Sequence, residues 1–461
     1  MLALSLAEIA EACGGRLEGG DPRARIERVC TDTRALRPGD LFLALRGDIF
    51  DGDAFAADAL RAGAAAVVVR ESAAAGLSGH GTRIVVEDGR GALAALATAV
   101  RRRSGVKLVA VTGSAGKTST KDILAALLRP VASVVATEAN LNNEIGVPQT
   151  LLQVDEGTEI VVVEMAMRGA GQIRELARIA LPDVGVITNI APVHLELMGT
   201  VEDVAAAKAE LMEELREGTA VVPAEESLLD RHLGRFRGRV VTFGGPRADV
   251  QLVAAEQRGQ STHVLVDAFG QRGTLDLGFT GEHYVTDAMA ALAAFLELGY
   301  HLDEAREGAA RVSFSAMRGA VSELPGGGLL LNDAYNANPL ATVAAIDHLV
   351  SIAAGRPAVA VLGDMAELGA AAAALHRGVG QHCTAAGVRL VAVGRLARDY
   401  LTGAPGEVWF ASVDECLEAL PVVAPAGSAV LVKASRVARF ERIAEALERG
   451  RRPGPEERHD A

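Results

Sequence analysis

The sequence predicts an α/β protein of three domains: a small N-terminal α/β domain over residues 1–85, a central parallel-sheet domain over 86–312, and a C-terminal Rossmann-like domain over 313–450. Two observations predict it. The 461 residues, 49% hydrophobic, suffice for two to four cores at about 100–200 residues per domain. Short buried runs then alternate with helical stretches in two separate series, the pattern of strands joined by crossover helices in a parallel, doubly wound sheet.

The opening MLALSLAEIAEACGG sets Glu8 and Glu11 within an apolar stretch and carries no basic leader, so it reads as an amphipathic helix rather than a signal peptide. Residues 26–70 read as short strands and turns, then an Ala-rich helix and the buried run AAAVVV at 64–69. The central series holds LVAV at 108–111, IVVV at 160–163 and VGVI at 184–187. Residues 221–281 alternate more weakly and include several glycines, which suits an antiparallel edge on the same domain; a helix over 285–298 leads to the boundary near 312. The last series holds LLL at 329–331, AVAVL at 358–362, LVAV at 390–393 and AVLV at 429–432. The polar stretch RRPGPEERHDA at 451–461 is expected to be a mobile tail without a part in the chemistry.

Composition excludes several classes. A net charge of −13 argues against a nucleic-acid or anionic-membrane binder, which would gather Lys and Arg over a broad face. Cys13, Cys30, Cys383 and Cys416 show no C-x-x-C spacing, so neither a zinc site nor a disulfide framework is indicated and a reducing cytoplasm is the simple reading. No apolar run reaches the roughly 18 residues of a membrane span. Neither series opens on G-x-G-x-x-G, which argues against a dinucleotide site.

The stretch VAVTGSAGKTST at 109–120 carries the first chemistry. A buried strand runs into a helix read over 119–128, so Gly113, Ser114, Ala115, Gly116, Lys117, Thr118 and Ser119 lie at a helix N-terminus, where free N–H groups and the helix dipole favour phosphate. Gly113 and Gly116 permit the turn, Lys117 adds a charge for the outer phosphates, and Thr118 offers a hydroxyl to Mg2+. The commonest spelling has a glycine five positions before Gly-Lys; here that position is Val111. An ordinary Gly-rich turn is the plainer reading, but Gly-Lys-Thr in this place points to nucleotide.

Ligands of open parallel sheets gather beyond the strand carboxyl ends. Glu164 follows one buried run and is the first metal candidate, because Mg2+ prefers carboxylates beside nucleotide phosphates. Thr188 and Asn189, then His194 and Glu196, follow the next run. Taken alone, His194 reads as structural and Lys208, in a helix over 201–215, as a surface lysine. The last series supplies NDAYNANP at 332–339, GDMAELG at 363–369 and KASR at 433–436, each after a buried run. Asn336 and Asn338 are as readily turn builders as ligand contacts.

In this order, TGSAGKTST, NLNNEIGVPQTLL, ITNIAPVHLELMG, AAAKAE, DAYNANP, VLGDMAELG and LVKASR resemble the Mur ligase family of peptidoglycan synthesis over nearly the whole chain, and the MurF type within it. The family's loop is short, which accounts for Val111. The MurE type carries D-N-P-R in its last domain, and this chain has none.

The resemblance implies a UDP-sugar domain, a central P-loop ATPase-like domain and a closing Rossmann-like domain. It also implies a cytoplasmic, monomeric ligase that uses ATP and Mg2+ to join D-alanyl-D-alanine to UDP-N-acetylmuramoyl-tripeptide through an acyl phosphate. By matching positions, Lys117 and its loop would hold ATP phosphates, Thr118 and Glu164 Mg2+, and His194 a second metal ion; Lys208 would become carbamylated. Thr31, Asp32, Thr33, Arg34 and Arg46 resemble the uridine region, and Asn142 and Asn143 would lie near the UDP-substrate. His283 and Asp287 match a stretch near adenine, and Arg318 an arginine that reaches back to ATP. Asp333, Asn336 and Asn338 would contact nucleotide or dipeptide, with Lys433 and Arg436 supporting the closed complex.

Three departures stand out: Asp53 where the family often has His, Tyr284 and Asp287 where H-N-x-x-N has Asn, and Ala434 where Gly is usual. The rival readings are another Mur ligase, a folylpolyglutamate-type synthetase, and a nucleotide-binding regulatory protein without ligation.

Overall fold

A computed structural model describes residues 1–47, 50–77 and 81–450; the expected tail lies outside the described residues. The chain is mixed α/β, with sheets of five, nine and six strands following one another along the sequence and a short two-stranded ladder at the start.

The opening is helical only in part. Leu4–Ser5 pairs antiparallel with Arg25–Ile26, and the helix begins at Leu6 and ends at Ala12. A capping box sets that start: the Ser5 N–H donates to the Glu8 carboxylate at 2.7 Å while the Glu8 N–H donates back to Ser5 Oγ. Leu6, Ile9 and Ala10 are buried in the core shared with helix Gly89–Arg103. In the five-stranded sheet, Val29–Cys30, Leu41–Leu43, Ala66–Arg70 and Arg83–Val86 run parallel, and Arg16–Glu18 closes one edge antiparallel.

The nine-stranded sheet has Lys107–Thr112 near its middle, parallel both to Ile160–Glu164 and to Val184–Ile187. Successive side chains of this strand face opposite sides. Val109 and Val111 meet helices Lys117–Leu128 and Glu282–Glu297, whereas Leu108 and Ala110 meet the layer of Gly89–Arg103, Gln172–Ala180 and Val201–Glu214. From Lys107–Thr112 the chain first winds outward through Val134–Ala136, then returns to the other side at Val184–Ile187. Such a reversal opens a crevice at the carboxyl ends of the strands.

The weakly patterned segment 221–281 divides. Thr219–Pro223, Arg239–Gly244 and the start of Val250–Arg258 continue the parallel sheet, and only Ser261–Ala268 and Gln271–Leu277 form the antiparallel edge. The intervening helix Asp230–Leu233 allows the parallel return that a tight hairpin would forbid.

The six-stranded sheet is parallel except for its edge strand Ala320–Leu324, which turns back into Gly328–Asn332. Ala429–Lys433 lies between Gly328–Asn332 and Ala358–Gly363, so the three motifs that follow these strands emerge side by side. They face the crevice of the nine-stranded sheet.

Candidate active site

The loop after Lys107–Thr112 is held open by its neighbours. A Cβ on Gly113 would fall 1.8 Å from Thr188 Oγ1, and one on Gly116, whose φ is +76°, 2.2 Å from Asp287 Oδ1. Only glycine fits either place. Asn189 accepts the Ala115 N–H at 2.9 Å and Ser114 Oγ accepts the Ala191 N–H at 2.9 Å, so the following strand end fixes the loop's shape. Asp287 is buried against Gly116 and hydrogen bonded to Ser119; burial pushes its carboxyl well above the usual range. It braces the loop from below.

Lys117 donates to the Gly113 carbonyl at 2.8 Å. Burial lowers its pKa, Glu164 opposes that, and the Arg318 charge adds to it. Glu164, itself buried, has both oxygens engaged: Thr118 Oγ1 donates at 2.8 Å and Asn142 Nδ2 at 2.7 Å. Asn142 therefore holds the Glu164 carboxylate, while Asn143 accepts the Gly146 N–H at 2.9 Å where helix Gly146–Leu151 begins.

The bare reading of Lys208 as a surface lysine fails. Only 2% of it is exposed, and its ammonium has no hydrogen-bond partner among the described residues. Burial drives its pKa well below the ordinary lysine value, and the Lys117 charge pushes the same way. His194, in a left-handed turn with φ +54°, pairs through Nδ1 with the carboxylate of Glu367 from the C-terminal sheet. Arg168 approaches that carboxylate at 3.6 Å. Burial lowers the His194 pKa and Glu367 opposes it.

The facing wall is built from the six-stranded sheet. Asp333 and Lys433 form a buried ion pair, and Lys433 also donates to the Asn336 carbonyl at 3.0 Å. Asn338 caps helix Pro339–Ala353 through the Ala341 N–H at 2.9 Å, which favours the turn-builder reading of its side chain. The Arg318 guanidinium lies 3.8 Å from the Tyr335 ring centroid, and Arg436 lies 5.8 Å from the same ring.

These groups share one cavity of about 1050 Å³. Ser114 to Ser119, Asn142, Asn143, Glu164, His194, Lys208, His283, Asp287 and Arg318 line one side; Asp333, Asn336, Asn338, Lys433 and Arg436 line the other. Gly113 is just beneath the lining. Thr31, Asp32, Thr33, Arg34 and Arg46 are not brought to it. They sit on the five-stranded sheet, tied across by Gln149 Nε2 donating to Thr31 Oγ1 at 2.8 Å, and Asp32 is neutralised by Arg34 at 2.7 Å. Asp53 in turn is paired with Arg70 at 2.7 Å.

Sequence reasoning missed Glu367 and Tyr335, which line the cavity, and Gln149, which reaches across to Thr31. Each lies in a motif already quoted, GDMAELG, DAYNANP or NLNNEIGVPQTLL, but its partner is more than 15 residues away and in another domain or motif.

Comparison with known proteins matches three family descriptions along the chain: Mur ligase family, catalytic domain, over residues 25–101; Mur ligase middle domain over 111–295; and Mur ligase, glutamate ligase domain, over 318–436. The chain is 34% identical to the UDP-N-acetylmuramoyl-tripeptide--D-alanyl-D-alanine ligase of Bacillus subtilis (strain 168), covering 97% of this chain and 99% of that one. Its structure is similar to crystal structure I of MurF from Acinetobacter baumannii, with a TM-score of 0.88, 29% identity and coverage of 97% and 99%. The MurF ligase of Thermotoga maritima in complex with ADP gives a TM-score of 0.81 at 30% identity, covering 92% of this chain and 97% of that one.

Proposed function

The chain belongs to the Mur ligase family, and from that premise we infer that it is the ATP-dependent ligase joining D-alanyl-D-alanine to UDP-N-acetylmuramoyl-tripeptide in peptidoglycan precursor synthesis. The observation that carries this reading is near-full-length similarity to ligases of that name in a chain whose phosphate loop faces a second, self-paired polar wall across one cavity.

The tripeptide's terminal carboxylate attacks the γ-phosphorus of ATP, forming an acyl phosphate and releasing ADP. The neutral amine of D-alanyl-D-alanine then attacks the acyl carbon, phosphate leaves, and the amide nitrogen loses a proton. Lys117 and the N–H groups of residues 116–119 hold the phosphates and offset charge on the transferring group. Arg318, from the link between the sheets, adds a second cation at that end.

Mg2+ fits the oxygen donors of Thr118 and Glu164, a hydroxyl and a carboxylate already joined beside the loop. When bound, the ion would supply positive charge that offsets the charge of the phosphates. His194, whose Nδ1 is paired with Glu367, would offer its other ring nitrogen to a second ion. Lys208 suits carbamylation, because a buried lysine whose neutral amine is favoured is nucleophilic toward carbon dioxide, and the product supplies an anionic oxygen. Thr31, Asp32, Thr33, Arg34 and Arg46 form the uridine side, with Asn142 and Asn143 between it and the loop. Asp333 and Asn336 are the candidates for nucleotide or incoming-dipeptide contacts, while Asn338, its side chain spent on the Ala341 N–H, shapes the turn beside them. Among the described residues no helix is long and apolar enough to cross a membrane, and a cytoplasmic monomer that binds no nucleic acid accords with the acidic charge.

An acceptor panel tests the assignment. With ATP, Mg2+ and either the diaminopimelate or the lysine form of the tripeptide, mass detection should find amide product with D-alanyl-D-alanine and none with free diaminopimelate or glutamate. Product with glutamate alone overturns it.

A further inference from the structure

Tyr284 stands where H-N-x-x-N has its first asparagine, and its surroundings give it a task. It occupies the first turns of helix Glu282–Glu297 and is 4% exposed. Its hydroxyl donates to the Arg318 carbonyl at 3.2 Å, and a Cβ on Gly319 would fall 1.7 Å from the phenol oxygen of Tyr284. The phenol tip thus bears directly on the link by which the chain leaves the nucleotide-binding half. The ring cannot swing aside: its centroid lies 3.9 Å from that of His283 and 4.5 Å from that of Phe314, with Phe279 edge-on at 6.1 Å.

The link itself is an unusual piece of backbone. Met317 and Gly319 both have positive φ, +60° and +78°, on either side of Arg318. From the C-terminal side, the Gly319 N–H donates to the Asn332 carbonyl at 2.9 Å and the Tyr335 N–H to the Met317 carbonyl at 3.3 Å. Among the described residues, Tyr284 is the one side chain of the central domain hydrogen bonded to residues 317–319. Beyond this anchored backbone, Arg318 lies against the Tyr335 ring and close enough to Lys117 for the two charges to be felt.

We propose that Tyr284 is a positioning residue: its hydroxyl fixes the Arg318 carbonyl and thereby aims the Arg318 guanidinium at the phosphate end of the cavity. The proposal rests on the nucleotide role given to Arg318 above. A phenol suits the task because it spans a long reach with two rotatable bonds, so little conformational freedom is lost in holding one hydrogen bond.

A double-mutant cycle tests it, with Tyr284→Phe, Arg318→Ala and the pair, each checked for an unchanged circular dichroism spectrum. Tyr284→Phe keeps the ring and should lower kcat about three- to tenfold, the range of one buried hydrogen bond, with the KM for the UDP-substrate unchanged. Arg318→Ala should lose more, and the double variant should be no worse than Arg318→Ala alone. An equal loss from Tyr284→Phe in both backgrounds overturns the proposal, as does an unchanged kcat. The same cycle read as ADP affinity keeps the two ideas apart: lack of amide product from the unaltered chain defeats the ligase reading, whereas additive effects on ADP binding defeat the positioning role.

Discussion

The two walls of the cavity are both made from the carboxyl ends of parallel strands, yet they treat charge in opposite ways. On the nucleotide side burial pushes Lys208 toward its neutral amine, and Lys117 gives its ammonium only to a carbonyl of its own loop. On the C-terminal side Lys433 is matched by Asp333 within a buried pair. A buried, unmatched cation is unfavourable for the free protein, and it persists where an anionic ligand supplies the missing charge. The first wall is thus a receptor for anions, while the second is a self-neutral surface that keeps its own shape.

The largest effect that would break this comparison is at Lys117. Lys117→Ala should reduce phosphate release at least about a hundredfold, yet unfold at no lower a temperature than the unaltered protein, because a poorly matched charge has gone. Full turnover would remove the lysine from the phosphate site. The opposite balance is expected across the cavity. Lys433→Met leaves Asp333 buried and alone, and urea titration should find a loss of about 3–5 kcal/mol, most of it recovered when Asp333→Asn is added. If the single variant is as stable as the parent, that wall is not held by its ion pair.

The smallest effect is on pH dependence, at the seam between the walls. Burial lowers His283 to about 3 and His348 to about 4, and the His348 and Lys433 charges add to the shift of His283. The unfolded chain would titrate both near 6.5 and so binds more protons between those values. Stability should therefore climb as pH rises from about 4 to about 6.5 and level off above. Thermal unfolding across pH 4 to 8 checks the slope, and His348→Gln should flatten part of it.

The sequence disclosed the strands whose side chains are buried on both faces. LVAV at 108–111, IVVV at 160–163 and AVLV at 429–432 lie within observed strands, because short continuous apolar runs rich in Val have few other places to go. It was weaker where strands are short or half exposed. Val134–Ala136 and Ala320–Leu324 are edge strands, and their mixed composition carries little pattern. The site followed the same division. Gly113, Lys117, Thr118 and Glu164 could be singled out because each chemistry is local to a strand end. The pairing of Glu367 with His194, the stacking of Arg318 on Tyr335, and the grip of Asn142 on Glu164 depend on how distant segments meet.

The divided cavity also bears on selective inhibition. A compound that fills only the loop around Lys117 addresses an arrangement shared by nucleotide enzymes at large, so it carries little discrimination. One that also stacks on Tyr335 and meets the Asp333–Lys433 pair reads a surface supplied by another domain, and competes with whatever that domain is built to admit. Medicinal chemistry against this chain should therefore screen the whole protein, since the isolated nucleotide half would present only the less distinctive face.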